Sequence, residues 1–203
     1  MEKLNHKLGE YGLIDISTMD PTIKIELRYA SGNNFMKRNM YGCLKNAYLA
    51  PELAGRVVKA QHKLKEYNEY LSLVILDAAR PLSIQRIMYD TVKGPDKDIY
   101  VADPDSNGGF HNYGIAVDLT ITDIRTGDLD MGSEFDFFGE ESHVGIEIDL
   151  YKNGKITLED VKNRYFLYSL MLEQQLFPLA NEWWHYQYHT EETDKQNFRL
   201  MDF

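Results

Sequence analysis

The pattern of apolar and polar positions predicts strands in four stretches of the chain. Residues 23–29, IKIELRY, alternate as a half-buried strand does. The apolar runs 71–81 and 114–122 predict buried strands, and the aromatic stretch EWWHYQY at 182–188 predicts a last one.

Helical spacing occurs in three other stretches. Pro51 opens a segment with apolar residues on one face, residues 82–93 predict a second helix, and Thr157 with Asp160 marks the start of a third. Residues 132–156 show neither the strand nor the helix periodicity, and we predict that they form the longest loop. Because no strand–helix–strand rhythm is present, the pattern favours one α+β domain over residues 1–203, with an antiparallel sheet flanked by helices.

Composition excludes several classes of protein. A net charge of −10 argues against partners such as nucleic acid or an anionic membrane surface. Cys43 is the single cysteine, which rules out an intramolecular disulfide and a cysteine-ligated zinc finger. The N-terminal residues lack the apolar stretch of a secretory signal, and no run approaches the ~20 apolar residues of a membrane helix. We therefore expect a cytoplasmic protein, or a periplasmic one if an export signal was trimmed from a longer chain. The sequence does not set the oligomeric state.

His111 and Asp118 are the first candidates for chemistry. His111 stands where a glycine-rich loop enters the apolar strand 114–122, and Asp118 lies between Val117 and Leu119. A carboxylate inside a sheet must be paired, hydrogen-bonded or metal-bound. The alternation also permits Asp118 to lie on a solvent-exposed face, which is the interpretation that the local pattern favours.

The distant stretch EWWHYQY changes this balance. A catalytic zinc site takes three nitrogen or oxygen ligands from the protein, and His185 could be the third beside His111 and Asp118. Glu182 would then be the base for a water molecule. Residues three apart point to opposite faces of a regular strand, so this hypothesis predicts a departure from ideal strand geometry between Glu182 and His185. Trp183 and Trp184 are expected mainly to pack and to fix their neighbours.

Arg80 follows the buried strand in DAARP and allows two interpretations. Its guanidinium could stabilise the oxyanion of a tetrahedral intermediate. It could equally form a structural ion pair with Asp77 or with a carboxylate on a helix.

Five segments taken in order resemble the D-alanyl-D-alanine dipeptidases. They are NNF (33–35), DAARP (77–81), HNYGIAVDLTI (111–121), DMGSEFDFFG (130–139) and EWWHYQY (182–188). This family belongs to a superfamily of zinc peptidases that also contains D-Ala-D-Ala carboxypeptidases and the hedgehog signalling domain. The resemblance extends from about Asp15 to His189.

The resemblance implies the roles of the residues at the reacting end of the site. It implies one Zn²⁺ per chain, held by His111, Asp118 and His185. It further implies that Glu182 is the catalytic base and that Arg80 stabilises the transition state.

The resemblance also implies contacts with the substrate. Asp136 would bind the free amino group, and Tyr29, Asn34 and Phe35 would line the pocket. The family usually has a serine where this chain has Gly109, in the substrate-binding part of the pocket. Recognition of the substrate carboxylate is therefore expected to be weaker, or to pass to a neighbour such as Ser106 or Tyr113.

The implied activity is hydrolysis of a small substrate, the dipeptide D-Ala-D-Ala, in a small closed pocket, for peptidoglycan turnover or glycopeptide resistance. Residues 132–156 would cover that pocket. One alternative is a D,D- or L,D-carboxypeptidase that trims cell-wall peptides with the same metal site. Another is a non-catalytic zinc module like the hedgehog domain, against which the presence of both Glu182 and Arg80 argues.

Overall fold

The computed structural model describes residues 2–92, 98–188 and 191–203. Within these residues the helices are α1 (Glu2–Glu10), α2 (Pro51–Tyr67), α3 (Leu82–Val92), α4 (Glu147–Lys152) and α5 (Leu158–Glu173). The strands are β1 (Ile14–Asp15), β2 (Lys24–Ile25), β3 (Tyr48–Leu49), β4 (Leu71–Asp77), β5 (Ala116–Asp123), β6 (Gly127–Asp128), β7 (Phe177–Leu179) and β8 (Glu182–Gln187). Residue 93 of the predicted second helix and His189 lie outside the described residues.

The main sheet is mixed, with the strand order β2–β4–β5–β8–β7 and β6 paired to β5. β2 runs parallel to β4, and the other pairs of this sheet are antiparallel. The predicted α+β fold is confirmed, and the predicted antiparallel sheet departs from expectation at this one pair. α2 lies in the connection between β2 and β4, and a crossover of this kind returns the chain in the parallel direction.

The predicted strand 23–29 is shorter than its alternation suggests. Only Lys24–Ile25 pairs with β4, and the chain then turns into a 3₁₀ segment at Arg28–Ala30. The carbonyl of Tyr29 accepts hydrogen bonds from the backbone N–H groups of Met40 and Tyr41, at 2.7 and 3.0 Å. Contacts with a later segment therefore end the strand, and the local pattern contains no sign of them.

The helix boundaries follow from local chemistry. Pro51 occupies the first turn of α2, whose apolar face is buried. Thr157 and Asp160 form the predicted capping box of α5, in which each side chain accepts a hydrogen bond from the other residue's backbone N–H. None of the described helices is both long enough and apolar enough to cross a lipid bilayer.

β5 is buried along its whole length between β4 and β8. Val117, Leu119 and Ile121 enter the main hydrophobic core. Asp118 points to the other face, yet it is only 2% exposed. The interpretation of Asp118 as a solvent-exposed residue is therefore wrong, because this face is covered by other parts of the chain and lines a cavity.

The segment 132–156 is more ordered than predicted, because it contains a 3₁₀ turn at Glu140–Ser142 and the helix α4. The buried Arg164 of α5 ties this segment to that helix. Its guanidinium donates to the carbonyl oxygens of Met131, Glu141 and His143. The residues 130–143 are thus held by hydrogen bonds from a helix that follows them in the chain.

Candidate active site

Strand pairing brings two of the predicted metal ligands together. Asp118 of β5 lies directly opposite His185 of β8 in the antiparallel ladder. His111 lies in the 3₁₀ turn Phe110–Tyr113 that leads into β5. All three residues are buried, and their ligand atoms lie within 4.8 Å of one another.

The surrounding hydrogen bonds set the tautomers of the two imidazoles. Nδ1 of His111 lies 2.8 Å from the carbonyl oxygen of Ala78, which can only accept, so this nitrogen carries the proton. Nε2 of His185 lies 2.9 Å from Oε1 of Gln187, which has the same consequence. The lone pairs of His111 Nε2 and His185 Nδ1 are therefore directed at each other, 3.1 Å apart.

These atoms fit a metal ion. Oδ1 of Asp118 lies 3.2 Å from His111 Nε2 and 3.1 Å from His185 Nδ1, so three electron-pair donors converge on one point. Such donors repel one another unless they share a cation. Two imidazoles and one carboxylate form a ligand set that suits Zn²⁺, with the outer imidazole nitrogens held by hydrogen bonds as in known metal sites.

β8 departs from regular geometry where this was predicted. On β7, Pro178 pairs with Tyr186 and the next residue, Leu179, pairs with Glu182, so the three residues between Glu182 and Tyr186 have no partner on that strand. This irregularity places Oε2 of Glu182 3.7 Å from Nδ1 of His185. The prediction of a bulge is confirmed, and the bulge solves the problem that residues three apart face opposite sides of a regular strand.

The two tryptophans pack against each other. Their rings meet edge to face with centroids 5.4 Å apart, and Trp184 contacts Phe135. The indole N–H of Trp183 donates to the hydroxyl of Ser133 at 3.0 Å. Trp184 also lines the cavity. Packing is therefore their main contribution, as expected, with one indole on the cavity wall.

Burial and neighbouring charges give the carboxylates of the site different proton affinities. Burial raises the pKa of Glu182 to about 8, with His185 opposing this effect and Asp118 adding to it. Burial alone would also raise the pKa of Asp118, but the positive charge and the hydrogen bonds that His111 and His185 supply in their protonated form outweigh burial and hold that pKa below its usual range; a cation bound between these residues would act in the same direction. At neutral pH, Asp118 is therefore ready to bind a cation and Glu182 to hold a proton.

Asp136 lies at another part of the cavity wall, on the segment after β6. Its backbone has a φ of 63°, a left-handed conformation that Asp tolerates better than most residues. The hydroxyl of Tyr29 donates to Oδ1 at 2.9 Å, and the backbone N–H of Phe35 donates to Oδ2 at 3.1 Å. Desolvation nevertheless raises the pKa of Asp136 to about 7. Tyr29, Phe35 and Asp136 all line the cavity.

Asn34 is predicted to line the pocket but does not line this cavity. It is buried, and its side-chain amide donates to the carbonyl oxygens of Arg28, Ser31 and Arg38. Asn34 therefore shapes the loop that carries Phe35.

Arg80 forms the structural ion pair that one of its two sequence-based interpretations predicts. Its Nε and Nη2 donate to Oδ2 of Asp77 at 3.0 and 2.5 Å, and Nη1 donates to Oε1 of Gln85 at 2.9 Å. The guanidinium also lines the cavity. The structural ion pair with Asp77 thus holds a cation in place beside the site.

The cavity has a volume of about 530 Å³. Gly109 and Ser106 line it, whereas Tyr113 does not; the hydroxyl of Tyr113 donates to the carbonyl oxygen of Asn107. Aromatic contacts join two of its walls, because Phe138 packs against Phe35 and stacks on Tyr100.

Sequence reasoning missed several polar residues of the cavity, among them Gln187 and Lys195. Gln187 could have been found, because it lies two residues after His185 and so shares its face of the strand. Lys195 lies in the C-terminal segment, and no local pattern distinguishes it from a surface lysine.

The chain is similar in sequence to a known protein family over almost its whole length. Residues 9–202 match a family model described as D-ala-D-ala dipeptidase. The chain is 30% identical over 178 residues to the D-alanyl-D-alanine dipeptidase of Escherichia coli, a match that covers 86% of this chain and 83% of that protein. It is 28% identical over 197 residues to the enzyme of the same name from Enterococcus faecium, with 87% and 91% covered. For the Enterococcus faecalis enzyme the identity is 26% over 199 residues, with the same coverage.

Proposed function

Because the chain belongs to the D-Ala-D-Ala dipeptidase family of metallopeptidases, we propose that it is a zinc-dependent dipeptidase that hydrolyses D-Ala-D-Ala and related D,D-dipeptides. One observation carries the proposal. A buried metal-ligand set, a glutamate beside it and an aspartate suited to bind an amine all line the same cavity. Such an activity would serve peptidoglycan turnover or glycopeptide resistance, the roles that the resemblance implies.

His111, Asp118 and His185 are the residues that would hold the zinc ion. When bound, zinc supplies a Lewis acid that acidifies water and withdraws electron density from a peptide carbonyl. Ala78 and Gln187 keep the two imidazoles in the tautomers that this binding needs.

Glu182 is the proposed general base. It takes a proton from the attacking water and later gives it to the leaving amine. Its raised pKa, about 8 in the metal-free site, suits a group that must both accept and release a proton. A cation bound next to Glu182 lowers this value, because a nearby positive charge favours the carboxylate.

Arg80 is the proposed partner of the oxyanion that forms during attack. Its hydrogen bonds to Asp77 and Gln85 fix the guanidinium before any substrate arrives. A donor that is already in position stabilises developing charge without a cost for reorganisation.

Asp136 favours a dipeptidase over a carboxypeptidase. A carboxylate that faces the cavity matches the free ammonium group of a dipeptide, and this group lies one residue from the scissile bond. A peptide extended at its amino end has no ammonium group at this position, so Asp136 would lack its ionic partner. The surrounding aromatic side chains also occupy the space that the added residues would need.

The proposal is tested with purified protein, its metal content and a set of substrates. We expect about one zinc per chain, cleavage of D-Ala-D-Ala that a chelator abolishes and added zinc restores, and little cleavage of N-acetyl-D-Ala-D-Ala. Equal cleavage of the N-acetylated compound would support the carboxypeptidase alternative. Zinc-loaded protein that cleaves neither compound would contradict the enzymatic proposal.

A further inference from the structure

A lysine is buried in the wall of the proposed catalytic cavity. Lys195 lies in the 3₁₀ segment Glu192–Asn197, and only 5% of its surface is exposed. It lines the same cavity as Glu182 and His185. Lysine is rarely buried to this extent, because its charge loses hydration. A lysine in a cavity wall therefore indicates a partner or a function that offsets this cost.

The contacts of Lys195 place it beside the turn that carries a metal ligand. Its Nζ donates to the carbonyl oxygen of Gly108 at 2.6 Å and lies 4.8 Å from the centre of the Phe110 ring. His111 follows Phe110 directly. The lysine charge is thus held against residues 108–110, whereas Asp136 is held against Tyr29 and Phe35.

The C-terminal segment that carries Lys195 is fixed to the site. The backbone N–H of Met201 donates to the carbonyl oxygen of Asn112 at 2.9 Å, and the carbonyl oxygen of Met201 accepts from the N–H of Leu82 at the same distance. Met201 itself is fully buried. The position of Lys195 is therefore set by the same turn that positions His111.

A cationic side chain is the strongest partner for the carboxylate of a dipeptide. Among the described residues that line the cavity, the side chains that are cationic at neutral pH, leaving histidine aside, are Arg80 and Lys195. Arg80 is already hydrogen-bonded to Asp77, and the proposed function assigns it to the oxyanion. Gly109 has no side chain to offer, and the hydroxyl of Ser106 donates to Asp103.

We propose that Lys195 binds the C-terminal carboxylate of the substrate. This inference rests on the proposed dipeptidase function and completes it, because Asp136 and Lys195 then recognise the two charged ends of one zwitterion. It makes a free carboxylate a requirement for good substrates, so that dipeptide amides and esters are poor ones.

The test compares two substrates, D-Ala-D-Ala and D-alanyl-D-alaninamide, which differ in the charge of one group. For the wild-type protein we expect kcat/KM to favour the free acid by about 10- to 100-fold, the range expected for loss of a hydrogen bond between charged groups. Lys195→Met should lower kcat/KM for D-Ala-D-Ala by a similar factor, mainly through KM, and leave the amide unchanged.

Two further variants separate charge from structure. Lys195→Gln removes the charge but keeps a donor for the carbonyl of Gly108. It should therefore lower kcat/KM for D-Ala-D-Ala and leave the amide unchanged, and it provides the test if Lys195→Met folds poorly. Lys162→Met is the matched control, because Lys162 lies on the exposed surface of α5 and forms an ion pair with Glu159. Zinc content and thermal unfolding verify that each variant keeps the site.

The outcomes distinguish this inference from the proposed function. If wild-type protein cleaves both substrates equally well, or if Lys195→Gln impairs both equally, the carboxylate role is wrong while the dipeptidase function stands. If zinc-loaded wild-type protein cleaves neither, the function and the inference fall together.

Discussion

The proposed metal end and the proposed amine end of the cavity are built in different ways. His111, Asp118 and His185 come from two paired strands at the centre of the sheet and from the turn before one of them. At the amine end, Asp136 lies on an irregular segment and is held by Tyr29 and Phe35 from another one. A hydrogen-bonded ladder fixes the position of the proposed ligands Asp118 and His185, whereas irregular segments carry the residue proposed to bind the substrate amine.

The carboxylates at the two ends also differ from each other for a physical reason. Asp118 has a lowered pKa, despite its burial, because positive charge on the two neighbouring imidazoles favours the carboxylate. The contacts of Asp136 with a hydroxyl and a backbone N–H do not fully offset desolvation, so its pKa rises to about 7. Substitutions at the metal end should therefore affect catalysis or metal binding, and those at the amine end should affect substrate binding.

The largest effect is expected from Glu182→Gln. Removing the proposed base should lower kcat by about 10²- to 10⁴-fold, the usual contribution of a general acid–base group, while zinc content stays near one per chain. Steady-state kinetics with D-Ala-D-Ala and elemental analysis measure the two quantities. Glu173→Gln, at the exposed end of α5, is the matched control. Undiminished turnover in Glu182→Gln would end the role assigned to this residue.

Asp136→Asn should act mainly on KM. Loss of the charge that faces the substrate ammonium is expected to raise KM for D-Ala-D-Ala by about 10- to 100-fold, with a smaller change in kcat. The same measurements on Asp149→Asn, an exposed residue of α4, provide the control. A fall in kcat with KM unchanged would place Asp136 with the catalytic groups and erase the contrast between the two ends.

Gln187→Leu tests the outer hydrogen bonds of the metal end. Without Oε1 to accept from His185 Nε2, the imidazole loses the group that fixes its tautomer, and zinc affinity should fall by about 10- to 100-fold. Competition with a chromophoric chelator measures the affinity. KM in the zinc-saturated variant should stay close to that of the wild type. An unchanged zinc affinity would show that strand pairing alone orients His185.

The smallest expected effect is the pH dependence of substrate binding at the amine end. Because the folded-state pKa of Asp136 is raised to about 7, the residue loses its charge as the pH falls through 7. Binding of D-Ala-D-Ala to Glu182→Gln, measured by calorimetry, should weaken by about three- to fivefold between pH 8 and pH 6, because the substrate ammonium, with a pKa of about 8, has already lost part of its charge at pH 8. Adding Asp136→Asn should flatten this profile. A profile that keeps its slope in the double variant would assign the titration to another group.

Most of the residues that the sequence proposes for the site line one cavity, and their motifs are local. HNYGIAVD contains two of the proposed ligands within eight residues, and EWWHYQY contains the proposed base and the proposed third ligand. The bulge in β8 was also predictable, since Glu182 and His185 could not share a site on a regular strand. Asn34 shows the limit of this approach: a residue inside a matching segment lies beside the cavity without lining it.

The sequence by itself determined which residue types could bind a metal and accept a proton, where the long helices begin, and that helices and strands mix without a repeating order. Only the tertiary structure decided that Asp118 is buried, that β2 runs parallel to its neighbour, and that Lys195 lies in the cavity wall. The reason is that some properties depend on nearby residues in the chain and others on residues far apart in it. Capping and periodicity depend on neighbours within a few residues, whereas burial and charge environment depend on segments that folding brings together from far apart.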